Sequence, residues 1–380
     1  MPLRLFAAAW GYELASWFAF LSVISWLEAA GGARLSGLYF VLYNGVQLPA
    51  AALLAPVLDR AERGRLLRLV VALPAAFLLL LLVQRELWAG LFLGAAFALS
   101  DYLLYTLVPS AVPLLVPAER LSRANALWQA GSGVIFVLAP AASGAFLERF
   151  GVFSGFYVAG GLLALALLLA AGLFVGRPEE KGARGGWREV LAHPLALWAA
   201  AAVFFVALGG GVVNAALPVL TGGGRDYGLL LSALGTGGLL ASLVFTRVQL
   251  FRPLRLAFAA VIFHAGGDLA LALGRGIAVY LPAGFFKGIA NSIFSLGLDT
   301  ELQRRLPAGV LARAFSLGWA AGNLGQVLGS GAVALWAAAL GVRTLLLAAA
   351  LIGLSALLPL LRTGERPSPQ LPGPGGRRGP

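Results

Sequence analysis

Glu13 and Trp17, Asp101 and Tyr105, and Lys287 and Asn291 are three pairs spaced four residues apart inside long apolar stretches. That spacing puts the two members of each pair on one helix face. An ionisable group inside such a stretch is expensive to keep and is a functional candidate for that reason. A carboxylate there can bind and release a proton, a lysine can pair with it, and aromatic rings can wall a site for an apolar ligand. Asn214 adds an uncharged polar group in another apolar stretch. His264 and Asp268 also lie four apart, and a carboxylate–imidazole pair could relay protons. Asp268 falls near the end of its stretch, so a structural pair is the expectation there. Glu28, Glu148 and Asp226 fall at stretch ends and read as solvated.

Other chemistries find little support. There are no cysteines and 2 histidines, so thiol zinc sites, iron–sulfur clusters and disulfides are excluded and a histidine metal site is not expected. No phosphate-cradling Walker loop and no Ser/His/Asp set stands out, so neither ATP-driven transport nor an enzyme is expected. No cofactor is expected.

The elements that carry these residues follow from composition. The chain is 60% hydrophobic and 12% charged, with mean hydropathy +0.88. A soluble protein carries about twice that share of charge, so a lipid-embedded protein is indicated. A spanning helix needs about 20 apolar residues. Twelve stretches qualify: 5–28, 34–57, 66–83, 87–115, 122–146, 152–175, 195–219, 227–248, 254–273, 277–300, 311–335 and 342–362. No cleavable signal peptide is expected, because the first stretch is too long for one.

The stretches form two sets. Residues 117–131 (PAERLSRANALWQAG) and 307–321 (PAGVLARAFSLGWAA) agree at 7 of 15 positions, 190 residues apart in a chain of 380. At the same offset Gly151-Val152 matches Gly341-Val342, Arg65-Leu66 matches Arg255-Leu256, and Asp101 matches Asn291. The chain therefore reads as one unit duplicated. The expected organisation is a six-helix bundle over 1–175, a cytoplasmic linker over 176–194, a second six-helix bundle over 195–362 and a disordered tail over 363–380. Glycine clusters (Gly235, Gly237, Gly238; Gly322, Gly325, Gly329, Gly331) are expected to let helices approach closely.

The net charge of +12 would suggest nucleic acid in a soluble chain. Here the basic residues fall between apolar runs. With the N-terminus inside, 21 Lys and Arg lie in cytoplasmic segments and 6 in outer ones. The positive-inside rule then predicts a cell (cytoplasmic) membrane protein with both ends cytoplasmic and no nucleic-acid partner.

Two six-helix halves with a middle linker resemble the major facilitator superfamily. Leu58-Asp59-Arg60-Ala61-Glu62-Arg63-Gly64-Arg65 resembles that family's loop between helices 2 and 3, although Ala55 and Glu62 stand where glycines are usual. That variant, together with Glu119-Arg120-Leu121 and Ala124-Asn125-Ala126-Leu127, is similar to the branch of drug and siderophore exporters related to the enterobactin exporter. Ala139-Pro140-Ala141-Ala142-Ser143-Gly144 is similar to the antiporter signature on helix 5, with two glycines replaced.

The resemblance implies an all-α integral membrane fold of two pseudo-symmetric bundles, with helices 1, 4, 7 and 10 around a central cavity. Glu13, Asp101, Asn214, Lys287 and Asn291 would then meet at mid-depth, with Lys287 pairing with Asp101 in one state. Trp10, Trp17, Phe18, Tyr105, Trp128 and Phe136 would wall the cavity. Asp59, Arg60 and Arg63, with Arg123 and Arg313, would form a cytoplasmic latch, which Asp299 and Glu301 echo near Arg304 and Arg305. The function implied is proton-coupled export of an amphiphilic or aromatic small molecule by a monomer. The alternatives are uptake of a small polar solute, and a non-transporting receptor or assembly factor with the same fold.

Overall fold

The computed structural model describes residues 2–53, 62–116, 121–173, 187–245, 253–306 and 308–364. Every regular element among them is an α-helix: α1 (Pro2–Gly45), α2 (Gln47–Leu53), α3 (Arg63–Gln84), α4 (Leu87–Leu115), α5 (Leu121–Phe150), α6 (Val152–Ala170), α7 (Trp187–Leu191), α8 (Pro194–Thr221), α9 (Gly224–Phe245), α10 (Pro253–Leu273), α11 (Ile277–Arg305), α12 (Ala308–Leu340), α13 (Val342–Leu354) and α14 (Leu357–Gly364). The expected tail and most of the expected linker lie outside the described residues.

Eleven stretches among the described residues are long and apolar enough to cross a bilayer. One of them, Leu3–Ala50, has 48 residues. At about 1.5 Å per residue it is more than twice as long as a hydrocarbon core is thick. It is divided at Gly32, whose φ of 54° and ψ of −141° leave the helical region. Glycine reaches that conformation because it has no Cβ to clash. The two arms of α1 thus fall on the expected first and second spans, and among the described residues each of the twelve expected spans is helical.

The duplication is visible in the backbone. The bounds of α4 and α11 are offset by 190 residues at both ends. At the same offset, Gly32 and Gly222 both take positive φ at the turn after the first span of each set, and Gly151 and Gly341 both do so before the sixth.

Packing follows what lipid allows. Hydrocarbon gives helices no hydrophobic reason to associate, so close backbone approach must hold them. Gly325 and Gly329 of α12 face the backbone of α8 at Phe204 and Leu208, and Gly237 and Gly288 seat α9 against α11. The carbonyl end of α6 is held by two guanidinium groups. Arg4 donates to the Leu169 oxygen at 2.9 Å and Arg68 to the Leu173 oxygen at 3.2 Å. Positive groups are favourable at a helix C-terminus.

The sets join mainly through α1, which packs on α12 with its second arm and also on α8, and through α5, which packs on α9. The close approaches lie toward the end opposite the linker. Gly37 abuts Ser330 and Ala334, Gly144 abuts Gly224, and Ser25 Oγ accepts from the Gly224 N–H at 2.9 Å. At Pro140, which cannot complete the α5 hydrogen-bond ladder, the next N–H, that of Ala141, donates to Ser232 Oγ of α9 at 3.0 Å. An exposed ion pair, Arg225–Glu148 at 3.6 Å, spans the same end. Among the described residues α4 and α11 do not pack on each other.

Candidate functional site

The first arm of α1 carries Trp10, Glu13 and Trp17 at helical spacing, and α5 carries Trp128, Ser132 and Phe136 four apart. The two faces meet. Ser132 Oγ donates to Glu13 Oε1 at 2.9 Å. The Trp10 and Trp128 rings stack at 6.3 Å, and Trp17 sets an edge on Phe136 at 5.4 Å. Gly131 makes the approach possible, because a Cβ there would overlap the Trp10 indole. Glu13 is 5% exposed, yet its Oε2 has no hydrogen-bond partner, and neither does Trp10 Nε1. Tyr105, exposed on α4, lies beside Trp128 with its ring 6.5 Å away. Its hydroxyl is near the Glu13 carboxyl but short of a hydrogen bond to Oε2.

Asp101 sits one turn before Tyr105 near the middle of α4. Its two oxygens are taken by two phenols. Tyr12 donates to Oδ1 at 3.0 Å, and Tyr43, from the second arm of α1, donates to Oδ2 at 2.6 Å. Tyr12 also reaches the Phe97 carbonyl at 3.1 Å, and Tyr39 stacks on Tyr43 at 5.9 Å. Glu13 and Asp101 are close enough to feel each other's charge. Among the described residues no Lys, Arg or His forms an ion pair with either.

The other set contributes amides. Asn214 Nδ2 of α8 donates to Gln326 Oε1 of α12 at 3.2 Å, and Asn291 is exposed on α11.

Several sequence expectations change here. Lys287 does not meet Asp101. It points away from the seam into α10 and forms a buried ion pair with Asp268. His264 Nδ1 lies 3.4 Å from the other Asp268 oxygen. Gly267, packed against Lys287, leaves the room that lets the lysine lie there. The structural pair expected at His264 and Asp268 is therefore a triad that includes Lys287. Phe18 is not beside Glu13 either, since it packs on Phe146 at 5.7 Å in the core of its own set.

Of the expected latch, Asp59 and Arg60 lie outside the described residues, and so do the side chains of Arg123 in α5 and Arg313 in α12. Arg63 opens α3 and is buried. Glu62, which replaces a usual glycine, is the α3 N-cap, accepting from the N–H groups of Gly64 and Arg65 at 2.7 Å each. Glu301 pairs with Arg305 at 2.5 Å.

The sequence reading missed Tyr12, Tyr43, Ser132 and Gln326. Tyr39 and Tyr43 sit four apart in an apolar stretch, and that spacing could have pointed to them.

The arrangement can hold a proton or a cation on either carboxylate. The solved structures similar to the chain share its fold. A mutant of the nucleoside transporter NupG aligns at TM-score 0.77 and 12% identity, covering 96% of this chain and 100% of that one. A bacterial homologue of the iron transporter ferroportin, inward-facing, aligns at 0.72 and 17% identity, covering 96% and 98%. A bacterial homologue of the human lysosomal transporter Spinster, inward-facing and unoccupied, aligns at 0.62 and 17% identity, covering 97% and 98%. No curated protein matches the sequence. The Major Facilitator Superfamily matches over residues 5–317. With that match across most of the chain and a fold of twelve spans in two related sets, the protein belongs to the Major Facilitator Superfamily and is a multi-pass membrane transporter.

Proposed function

We propose that the protein is a secondary active transporter that exports an amphiphilic or aromatic small molecule in exchange for protons, with Glu13 and Asp101 as the proton-carrying groups. The carrying observation is Asp101, half-buried near the middle of α4 and held by two tyrosine hydroxyls with no cationic partner among the described residues. A structural carboxylate in lipid is normally paired. One that is hydrogen-bonded but unpaired in charge can cross the membrane barrier neutral and reload when ionised.

Outward export is supported by the aromatic walls around Glu13 and by the likeness of the segments near helices 2 and 5 to exporters. The positive-inside balance favours a cytoplasmic linker face. On that reading the contacts at the opposite end close the outer side, and the structure faces inward, ready to load from the cytoplasm.

Proteoliposomes with an imposed pH gradient test the proposal. A panel of aromatic amphiphiles should yield a substrate whose movement collapses when the gradient is removed. Asp101→Asn should bind that substrate and fail to couple it, with transport down by about two orders of magnitude, in line with loss of a group essential to the cycle. Gradient-driven transport by the Asn variant at the wild-type rate would exclude the assigned role.

A further inference from the structure

The displacement of Lys287 from the seam has a chemical consequence. Its charge is neutralised by Asp268 between α10 and α11. What remains is two carboxylates in the first set without a cationic partner among the described residues, while the polar groups of α8 and α12 in the other set, Asn214 and Gln326, are neutral amides bonded to each other. The helices packed on the first arm of α1 add no counter-charge at that depth. Neither α6 nor α8 contains an acidic or basic residue along its length. In α4 the only one is Asp101. In α5 they lie at the ends, Arg123, Glu148 and Arg149, and in α12 only Arg313 occurs, in its first turns. The titratable groups that face Glu13 are Asp101 and the phenol of Tyr105, and those that face Asp101 are Glu13, Tyr12, Tyr43, Tyr39 and Tyr105.

The two carboxylates also differ in what they can accept. Both Asp101 oxygens are occupied by phenols inside packed rings, which leaves a place for a proton and none for an organic ion. Glu13 keeps Oε2 unpaired while 5% exposed, among Trp10, Trp17, Trp128 and the exposed Tyr105. A carboxylate among aromatic faces attracts a cation twice, through its charge and through the ring quadrupoles. An anion would meet two carboxylates, and a neutral ligand could at most donate a hydrogen bond to Oε2 and would bring no counter-charge.

We propose that Glu13 and the surrounding rings bind a lipophilic organic cation, which takes its place as the Glu13 proton leaves. The inference rests on the transporter reading above and adds the charge class of its substrate. Proton and cation then compete for one carboxylate, and the exchange at that site is one for one.

Tetraphenylphosphonium, a permanent cation, and tetraphenylborate, an anion of the same shape, are the probes. Their binding to the purified full-length protein is read by tryptophan quenching, and proton release by pH in weakly buffered detergent solution. The wild type should prefer the phosphonium by about tenfold or more and release about one proton per cation bound. Glu13→Gln should lose that preference and the proton release, while Glu13→Asp should keep the preference. The two-probe comparison on the wild type needs no variant, so a poorly folded Gln variant does not decide the matter. Equal affinity for the two ions, no phosphonium binding, or binding without proton release overturns the proposal. If proteoliposomes still move a neutral or anionic solute with the pH gradient, the transporter reading stands and only the cationic substrate is lost. Failure of both assays removes both.

Discussion

Removing Lys287 alone should harm the protein more than removing it together with Asp268. Lys287→Met leaves Asp268 as a fully buried carboxylate whose remaining neighbour is His264, and breaking a buried pair in this way costs about 3–5 kcal/mol. Replacing both partners with apolar residues of similar volume is often neutral. Thermal melting in detergent should therefore show a large drop for Lys287→Met and recovery in the double variant Lys287→Met, Asp268→Leu. In the same cycle Lys287→Met and Asp101→Asn should add, because the two groups share no contact. Strong coupling between them would point to a pairing in another state that this structure does not show. The case also marks the limit of reading residues from sequence. Asp101 and Glu13 were legible because a carboxylate in an apolar stretch is conspicuous, and their depth follows from position along the helix. The direction of Lys287 around its helix was not. Its neighbour Asn291 is the repeat-mate of Asp101, which suggests the seam, whereas the deciding feature is Gly267 on a different helix.

At the scale of elements, small residues do the work that apolar burial does in water. A Cβ at Gly288 would fall inside the van der Waals envelope of the Leu234 carbonyl oxygen, and the helix backbone there cannot yield as a flexible side chain could. Gly288→Ala should force α9 from α11 and lower stability by about 1–3 kcal/mol, the usual range for overpacking. Gly161, exposed on α6 with nothing within 4 Å of a built Cβ, is the control. Gly161→Ala should be neutral or slightly stabilising, since Ala is the better helix former by about 1 kcal/mol. Melting temperatures of the two variants check the contrast, and equal shifts would show that glycine spacing does not set the α9–α11 approach. These elements were largely legible. The twelve stretches and the 190-residue repeat located the helices, with ends that differ by a few residues from those observed, since apolar length and turn glycines are local properties. Glu62 was not legible as an N-cap, because in the loop pattern it stands as a departure, and its role appears only once α3 begins at Arg63.

For the whole molecule, the contacts between the two sets determine what must move. Ser25 with Gly224, Ser232 with Ala141, Gly37 with Ser330, and Glu148 with Arg225 all join the sets toward the end opposite the linker. The Glu148–Arg225 pair is more than half exposed, and pairs of that kind add little. The buried contacts at Ser25 and Ser232 carry the closure. If transport proceeds by alternating access, those contacts must open once in every cycle. The chain has no cysteine, so a designed disulfide has no competitor. Ser232 Oγ lies 3.0 Å from the Ala141 backbone nitrogen, which brings the two residues within the reach of a disulfide. Ala141→Cys with Ser232→Cys, oxidised in proteoliposomes, should stop transport while leaving ligand binding from the linker face intact, and reduction should restore the rate. The reduced double variant serves as its own folding control. Transport by the cross-linked protein at the reduced rate would mean that this end need not open, and the two sets would then have to exchange access in some way other than by rocking about the Glu13–Asp101 seam.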